Sequence, residues 1–386
     1  MFKRWIWLLI FFLAFPINVL AEEDEKEYIN EQKEMAIDYD EIQNTIDELS
    51  VKNKNNQQID FRQMTDEIIS GDYNFSVMEI LEWSFKAIFQ EVFLNTDLMV
   101  QIIVITIIIA IFTNFTSAFN SKYIGEVGFF VTYLILSAIL IKTFQLVGEI
   151  SETTINNALV FIQALVPSFF ATVSLSGNFT STLMFHETTL LLIGIINYLI
   201  LKIILPLINL IVILEIANNI TEESILSKLT EIFKGAVSWI LKTILVLFFG
   251  LNLLQSLTMP MVDTVTNKSI KNVMQVVPVV GSAMDGVTDT VLGSTVLIKN
   301  AVGVGGVIIL ITICLIPLLK IIAFILIYYG VAAIIQPISN KRVVDCLSGI
   351  GDSTKLLLGA VFTVALLFII SIAIVTISTN LTFAAR

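Results

Sequence analysis

The chain has 386 residues, of which 56% are hydrophobic and only 14% are charged, whereas soluble domains carry about 25% charged residues. This composition excludes a soluble globular protein and indicates that most of the chain lies in lipid. The formal net charge of −11 belongs to one segment, because residues 22–97 hold 20 acidic and 6 basic residues, and residues 98–386 hold 13 and 14. An acidic segment has no attraction for nucleic acid, so we expect no nucleic-acid partner.

Residues 1–21 have the features of a secretory signal peptide. Lys3 and Arg4 precede a short apolar region, and Ala21 supplies a small residue at the cleavage position. We therefore expect export of the acidic segment 22–97, with an uncleaved anchor helix as the alternative. This segment is poor in apolar residues, so a few mobile helices are expected there instead of a packed domain.

An amphipathic helix is predicted next to the membrane, at the end of the exported segment. Ser76 and Glu79 have capping-box spacing. The apolar stripe behind them comprises Leu81, Phe85, Ile88, Phe89 and Val92. This helix either lies in the membrane interface or docks on protein, and the sequence leaves both readings open.

Apolar stretches long enough to cross a bilayer, about 20 residues each, recur after Leu98. Residues 98–147 hold the first two, and residues 153–175 are ambiguous because Asn156 and Pro167 interrupt them. The predicted fold is all-α, an integral membrane protein with six to eight transmembrane helices.

Basic residues predict part of the orientation. The positive-inside rule places Lys122 inside and an acidic loop, Glu149–Glu152, outside. Lys341 and Arg342 also belong inside, which requires either that residues 301–337 cross twice or that an earlier segment does not cross. The side of the C-terminus stays open.

A repeated pattern of proline and glycine predicts an internal duplication. Pro167, Gly194 and Pro206 recur as Pro278, Gly305 and Pro317, each at an offset of 111 residues (278 minus 167, 305 minus 194, 317 minus 206). The predicted units are residues 153–258 and 262–379, each with helices broken by proline or glycine. Such broken helices build sites at mid-bilayer depth in transporters, in parallel or inverted repeats.

Charged residues inside the apolar stretches are the candidate functional residues. Lys202 stands four residues before Pro206, and Lys320 stands three residues after Pro317. We hypothesise that both lysines pair with Glu215 or line a polar crevice, with snorkelling to the interface as the alternative. Lys142 and Lys242 are expected to snorkel.

Small residues in the second unit suggest close helix contacts. Gly303 and Gly305 belong to a glycine-rich stretch, and glycine lets helix backbones approach each other in membranes.

Signatures of common enzymes are missing from the sequence. There is no GxxxxGK[ST] loop for phosphate, no HExxH zinc motif and no GxSxG nucleophile turn. His186 is the only histidine, and Cys314 and Cys346 are not expected to form a disulfide. We expect no catalytic residue, metal or cofactor.

The segment from Gln275 to Arg342 resembles the stage III sporulation protein AE family of endospore-forming bacteria. The similar motifs are Val277–Gly281, Leu297–Gly303, Pro317–Lys320 and Gln336–Ile338. The resemblance implies a protein of the mother-cell membrane that surrounds the forespore, with its acidic segment in the intermembrane space. It also implies partners among other stage III sporulation membrane proteins, including a separate ATPase and ring-forming components, in a secretion-like channel needed for late forespore development.

Two functions therefore stand as hypotheses. The first is a non-enzymatic core component of that transport channel. The second is an autonomous secondary transporter that binds a small solute at the broken helices near Pro206 and Pro317.

Overall fold

A computed structural model describes residues 23–49, 51, 58–73, 76–118, 122–175, 179–220, 225–274 and 281–384. These ranges are helical and contain no β-strand, which confirms the all-α fold. The helices described are α1 (Glu23–Ala36), α2 (Tyr39–Glu48), α3 (Phe61–Ser70), α4 (Val77–Leu94), α5 (Thr96–Ala118), α6 (Lys122–Leu175), α7 (Phe179–Leu199), α8 (Leu205–Asn218), α9 (Ser227–Met274), α10 (Gly281–Ile335) and α11 (Lys341–Ala384). The predicted signal peptide and Pro278 lie outside the described residues.

Five helical segments of the described part are long and apolar enough to cross a membrane. They are Gly125–Leu175, Glu187–Asn218, Ser227–Gln255, Gly293–Ile335 and Lys341–Ile377. The pair α4 and α5, bent by 49° at the junction, adds a sixth span if it counts as one. The chain is therefore a polytopic membrane protein, and the count of five to six meets the predicted six to eight at its lower limit.

Helices α6 and α10 are much longer than a bilayer is thick. They contain 54 and 55 residues, so each is about 80 Å long, against about 30 Å for the hydrocarbon core. Helix α6 joins the second predicted span to residues 153–175, so the stretch Glu149–Glu152 is helical and the predicted loop there is wrong. Residues 153–175 thus continue the same helix as the second predicted span.

Proline does not break α10, contrary to the prediction. Pro317 lies inside the continuous helix, where the buried side chains of Cys314 and Ile321 pack on neighbouring helices. Packing of this kind lets membrane helices tolerate a missing backbone hydrogen bond. Pro206 differs, because a π-helical turn, Ile200–Ile204, precedes it. The wider turn gives its ring room beside the carbonyl of Lys202, the residue four positions earlier.

The predicted unit boundaries fall inside helices. Helix α6 runs through residues 147–153, and α9 runs through residues 258–262. Helices α9 and α11 begin 114 residues apart (341 minus 227), close to the offset of 111 seen in the sequence. The duplication itself stays a prediction.

Helices α6 and α10 pack side by side in antiparallel register. The hydroxyl of Tyr328 donates a hydrogen bond to Thr143 Oγ1 at 3.0 Å, and a methyl group added at Gly306 would lie 2.3 Å from Cδ2 of Leu165. Residue numbers decrease along α10 in the direction in which they increase along α6. The N-terminal end of α6 therefore lies near the C-terminal end of α10. We call this the cluster end and the opposite end the cap end.

Helices α1–α3 of the acidic segment pack on the cap end of α6 and α10, and we call them the cap. Ile42, Ile46 and Phe61 have no exposed surface. Phe61 and Met64 face Gly305, where an added methyl group would lie 3.2 Å from each side chain. The expectation of mobile helices is therefore wrong, because a few apolar residues on one face suffice when α6 and α10 already present an apolar surface.

Polar contacts hold the cap in place. The backbone N–H of Asp38 donates to Ser168 Oγ of α6 at 3.0 Å. Gln43 joins α2 to the start of α3, because its amide donates to the Ile59 carbonyl and accepts from the Phe61 N–H, both at 3.0 Å. Burial raises the pKa of Tyr39 to about 12, so its hydroxyl stays neutral at physiological pH.

Helix α4 packs on protein with one face and leaves the opposite face exposed. Ser76 caps it by accepting from the Glu79 N–H at 3.4 Å, as the capping-box spacing predicts. One face packs on α10 and includes Val92. The other face leaves Phe85 64% and Phe89 59% exposed. The apolar stripe is therefore divided between protein contact and an outward surface.

We expect Phe61→Ala to release the cap. Removing a fully buried phenyl ring costs about 3 to 5 kcal/mol, and Phe61 is one of the two cap side chains that pack on Gly305. Trypsin should then cleave after Lys33 and Arg62 much faster in the purified variant. Met35 is 70% exposed, so Met35→Ala is the matched control and should keep the wild-type rate. Equal cleavage in Phe61→Ala and wild type would show that this ring does not anchor the cap.

Candidate functional site

A partly buried ion pair lies at the cluster end, where four helix ends meet. The carboxylate of Glu215, near the end of α8, lies 2.5 Å from Nζ of Lys234 in α9. Their side chains are only 13% and 23% exposed. Asp352 of α11 lies 3.8 Å from the same ammonium. Opposite charges in a medium of low dielectric attract strongly, so this pair draws α8 and α9 together.

A second set of hydrogen bonds joins α10 to α11. Nζ of Lys355 donates to the Tyr329 hydroxyl at 2.7 Å and to Asp352 Oδ1 at 3.3 Å. The Tyr329 hydroxyl donates to the same carboxylate oxygen, and the Lys355 ammonium lies 4.2 Å from the centre of the tyrosine ring. Glu215, Lys234, Tyr329, Asp352 and Lys355 form a connected network that we call the polar cluster.

Two glycines of α11 make room for the polar cluster. A methyl group added at Gly349 would lie 2.5 Å from Oε2 of Glu215, and one added at Gly351 would lie 2.9 Å from the ring of Tyr329. Both distances are shorter than non-bonded atoms allow. A larger residue at either position would displace Glu215 or Tyr329, so these two glycines let α11 approach α8 and α10 without disturbing the polar cluster.

Carbonyls at the end of α8 and just beyond it accept hydrogen bonds from side chains of other helices. The Tyr133 hydroxyl donates to the Ile216 carbonyl at 2.9 Å, and Arg342 donates to the Ile220 carbonyl at 3.1 Å. The guanidinium of Arg342 also lies 3.7 Å from the centre of the Phe129 ring. A cation near the C-terminus of a helix is stabilised by the helix dipole. These contacts tie α6 to the same end of the bundle.

A second candidate site is the glycine seam, formed by Gly303, Gly305 and Gly306 of α10. A methyl group at Gly303 would lie 3.0 Å from Thr376 Oγ1 and 3.2 Å from the Phe169 ring. The three glycines thus face α11, the cap and α6 in turn. The seam is where the cap and the membrane helices meet, and both Gly303 and Gly305 lie in close helix contacts there.

Comparison with known proteins decides the family. The family model for stage III sporulation protein AE matches residues 59–379, well over half of the 386 residues. The chain belongs to the stage III sporulation protein AE family. It is 31% identical over 321 residues to stage III sporulation protein AE of Bacillus subtilis (strain 168), an alignment that covers 83% of this chain and 80% of the relative. No solved structure matches the chain.

The region shared with the stage III sporulation protein AE family contains both candidate sites. It begins just before α3 and ends within α11. Phe61 and Met64 of the cap lie inside it, whereas α1 and α2 precede it. The resemblance noted between Gln275 and Arg342 is thereby confirmed.

The candidate residues from the sequence are only partly brought together. Glu215 is in the polar cluster, but its ion-pair partner is Lys234, so the hypothesis that it pairs with Lys202 or Lys320 is wrong. Lys202 stands 13 residues before Glu215, about 20 Å away along the helix, and it faces outward. Pro206 is also exposed, and Pro317 and Lys320 are partly exposed on α10.

Sequence reasoning missed four members of the polar cluster: Lys234, Tyr329, Asp352 and Lys355. Asp352 and Lys355 have the i, i+3 spacing of a helical ion pair at the start of the last span, which is a usable signal. Lys234 carries no comparable signal, because its contact with Glu215 depends on how α8 and α9 pack.

The polar cluster has the composition of a structural ion-pair network. Among the described residues, no group of three His, Cys, Asp or Glu side chains could hold a metal ion. The free Cys314 and Cys346 are buried. Such an ion-pair network orders the helices that contribute to it, and its removal is expected to loosen the cluster end.

We expect Glu215→Gln to lower the stability of the purified protein by about 2 to 4 kcal/mol, because it leaves Lys234 charged and poorly paired. The measurement is the midpoint of thermal unfolding in mild detergent. Glu231→Gln is the matched control. Glu231 forms an ion pair with Lys228, and the two side chains are 72% and 88% exposed, respectively. Exposed pairs of this kind contribute about 0 to 1 kcal/mol to stability. The double variant Glu215→Leu and Lys234→Met should recover much of the loss, and equal losses in both single variants would refute the assignment.

Proposed function

We propose that this chain is a non-enzymatic core component of a multiprotein transport channel between mother cell and forespore, needed for late forespore development. Membership of the stage III sporulation protein AE family supports a role in sporulation. Five to six candidate spans support a role within the membrane. The polar cluster and the docked cap support a scaffold, because they hold the helices at both ends of the bundle.

The closed interior is the observation that carries the proposal. A cavity between α7, α9 and α11 has a volume of about 10 Å³ and is lined mainly by apolar residues such as Ile193 and Phe248. It could hold one water molecule at most. Solute sites usually measure about 300 to 1,000 Å³. This cavity is therefore too small to bind or pass a solute, which suits a component that works with partners.

The second candidate is an autonomous secondary transporter. One observation favours it, since the π-helical turn before Pro206 is an irregularity of the kind that transporters place at their binding sites. The same small cavity argues against a transporter. It is lined in part by Asn197, one turn before the π-helical turn, and it is too small for a solute at that place. Pro317, the other expected break, lies in a continuous helix. The channel component is therefore the better supported function.

The proposed location is the mother-cell membrane around the forespore. The end of α8, the start of α9 and the connection 336–340 all lie at the cluster end, where Lys228, Lys341 and Arg342 stand. The positive-inside rule puts that end in the mother-cell cytoplasm. The acidic cap would then lie in the intermembrane space, available to other stage III sporulation proteins and ring-forming components. A separate ATPase would supply energy, since the sequence has no phosphate-binding loop.

A cysteine-labelling experiment tests this orientation. We expect a membrane-impermeant maleimide to label Met35→Cys in intact protoplasts of vegetative cells that express the chain. Lys341→Cys should be labelled only after lysis, although both positions are exposed. Replacement of the buried Cys314 and Cys346 by alanine removes the native thiols. Labelling of Lys341→Cys in intact protoplasts would reverse the proposed orientation.

Purification and reconstitution together test the function. The tagged chain from sporulating cells should co-purify with other sporulation membrane proteins. The same chain alone in liposomes should not accumulate a radiolabelled amino-acid mixture under a proton or sodium gradient. A known amino-acid transporter in parallel liposomes is the positive control. Gradient-driven uptake by the chain alone would establish the transporter and overturn the channel component.

A further inference from the structure

Lys242 is an exposed cation within a candidate membrane span. It lies 15 residues after the start and 13 residues before the end of the span Ser227–Gln255 (242 minus 227, 255 minus 242). Its side chain is exposed and makes no ion pair with a described residue. Trp239 and Val246, on the same face of α9, are each 67% exposed. A charge at this position on a lipid-facing surface is costly.

Snorkelling and ion pairing are the two ways to lower this cost. The expectation that Lys242 snorkels was made for a span from Leu229 to about Leu257, and it stays a prediction because α9 starts only two residues earlier, at Ser227. Helix α9 is also the candidate span least covered by its own chain, with 28% of its most apolar window buried, so a partner beside Lys242 has room to bind.

Two exposed carboxylates lie on another side of the bundle. Glu149 and Glu152 both belong to the outward face of α6, and neither makes an ion pair with a described residue. They belong to the candidate span Gly125–Leu175, which is longer than a bilayer is thick, and like Lys242 they are exposed. Helix α6 is not among the helices that pack on α9, which are α7, α8 and α11. The acidic face and the basic face therefore cannot meet within one chain.

The two faces lie at the same height in the bundle. Lys242 stands eight residues beyond Lys234 of the polar cluster, about 12 Å toward the cap end. Asn209 stands six residues from Glu215, about 9 Å in the same direction, and a methyl group added at Gly148 would lie 4.0 Å from its Oδ1. Glu149 and Glu152 follow Gly148 by one and four residues. Measured from the Glu215–Lys234 ion pair toward the cap end, they therefore lie at about 10 and 15 Å.

Helices α6 and α9 also run in the same direction. Each begins at the cluster end, as the contacts of Tyr133 with Ile216 and of Lys234 with Glu215 require. Two copies that stand side by side in one membrane, both with the cap on the same side, can therefore bring the basic face of one against the acidic face of the other. No change in height or tilt is needed to align the charges.

We infer that copies of this chain associate head to tail in the membrane, with Lys242 of one copy paired to Glu149 and Glu152 of the next. Such a contact joins two different surfaces, so it builds a closed ring or an open row. Trp239 and Val246 add apolar contact around the ion pair. A ring would place a passage between copies, which fits the closed interior of each one. This inference extends the proposed channel function and rests on it for its biological meaning.

Charge reversal gives a decisive test with two variants. Lys242→Glu makes both faces acidic, and the double variant Glu149→Lys and Glu152→Lys makes both faces basic. Each variant alone should lose self-association by about tenfold or more, because like charges then meet at the contact. A mixture of the two should associate again, since every contact in an alternating array joins opposite charges. The measurement is co-purification of two differently tagged copies from nanodiscs or mild detergent.

Each result of the mixing experiment decides the inference. Restored association in the mixture supports it, because a folding defect in either variant could not be repaired by mixing. Unchanged association of either variant alone overturns it, as does a wild-type chain that shows no self-association in its native membrane. A wild-type monomer that still co-purifies with other sporulation membrane proteins would overturn this inference and leave the proposed function standing.

Disulfide cross-linking tests the same contact without altering charge. With Cys314 and Cys346 replaced by alanine, Trp239→Cys in one copy should cross-link to Leu146→Cys in another, because both lie about one turn below the charged residues. Val131→Cys is the matched control, on the outward face of α6 but 15 residues (146 minus 131), or about 22 Å, from Leu146. Leu146 and Val131 are 47% and 53% exposed. Equal cross-linking to both positions, or none to Leu146→Cys, would overturn the inference.

Discussion

The ion pair between Glu215 and Lys234 is the constraint on which the cluster end depends. Either charge alone would be costly at a partly buried position in an apolar bundle. Together they bring α8 and α9 within 2.5 Å at their charged tips, and Asp352 extends the network to α11. Gly349 and Gly351 are needed for the same reason, since larger residues would push α11 away from these side chains. The order of the helices at this end follows from one electrostatic requirement.

The cap end is held by a different kind of interaction. Phe61 and Met64 pack against Gly305, and a single hydrogen bond from Asp38 reaches Ser168. Apolar packing of this kind depends on shape, so it tolerates an acidic composition everywhere else in the cap. The family match includes α3 but not α1 or α2. The part of the cap that touches the glycine seam is thus the part shared with relatives.

Local residue types predicted some features and not others. Hydropathy predicted the helical membrane fold, and the small residues predicted close packing at Gly303 and Gly305, because both depend on composition along one helix. Asn156 and Pro167 suggested an interruption that α6 does not have, since its cap-end half is covered by α10 and the cap. Glu215 was predicted as an intramembrane polar residue, but Lys234 was not found as its partner. Their contact depends on the packing of two helices, which no local pattern records.

The length of α6 and α10 gives the bundle a mechanical property. Both run unbroken from the cap to the polar cluster, and packed helices resist bending, so each behaves as a stiff rod. A tilt of about 5° around the polar cluster would move the far end of an 80 Å rod by about 7 Å. Small rearrangements among Glu215, Lys234 and Asp352 would thus be amplified at the opposite surface. In this arrangement α6 and α10 act as rigid arms that pivot near the ion pair between Glu215 and Lys234.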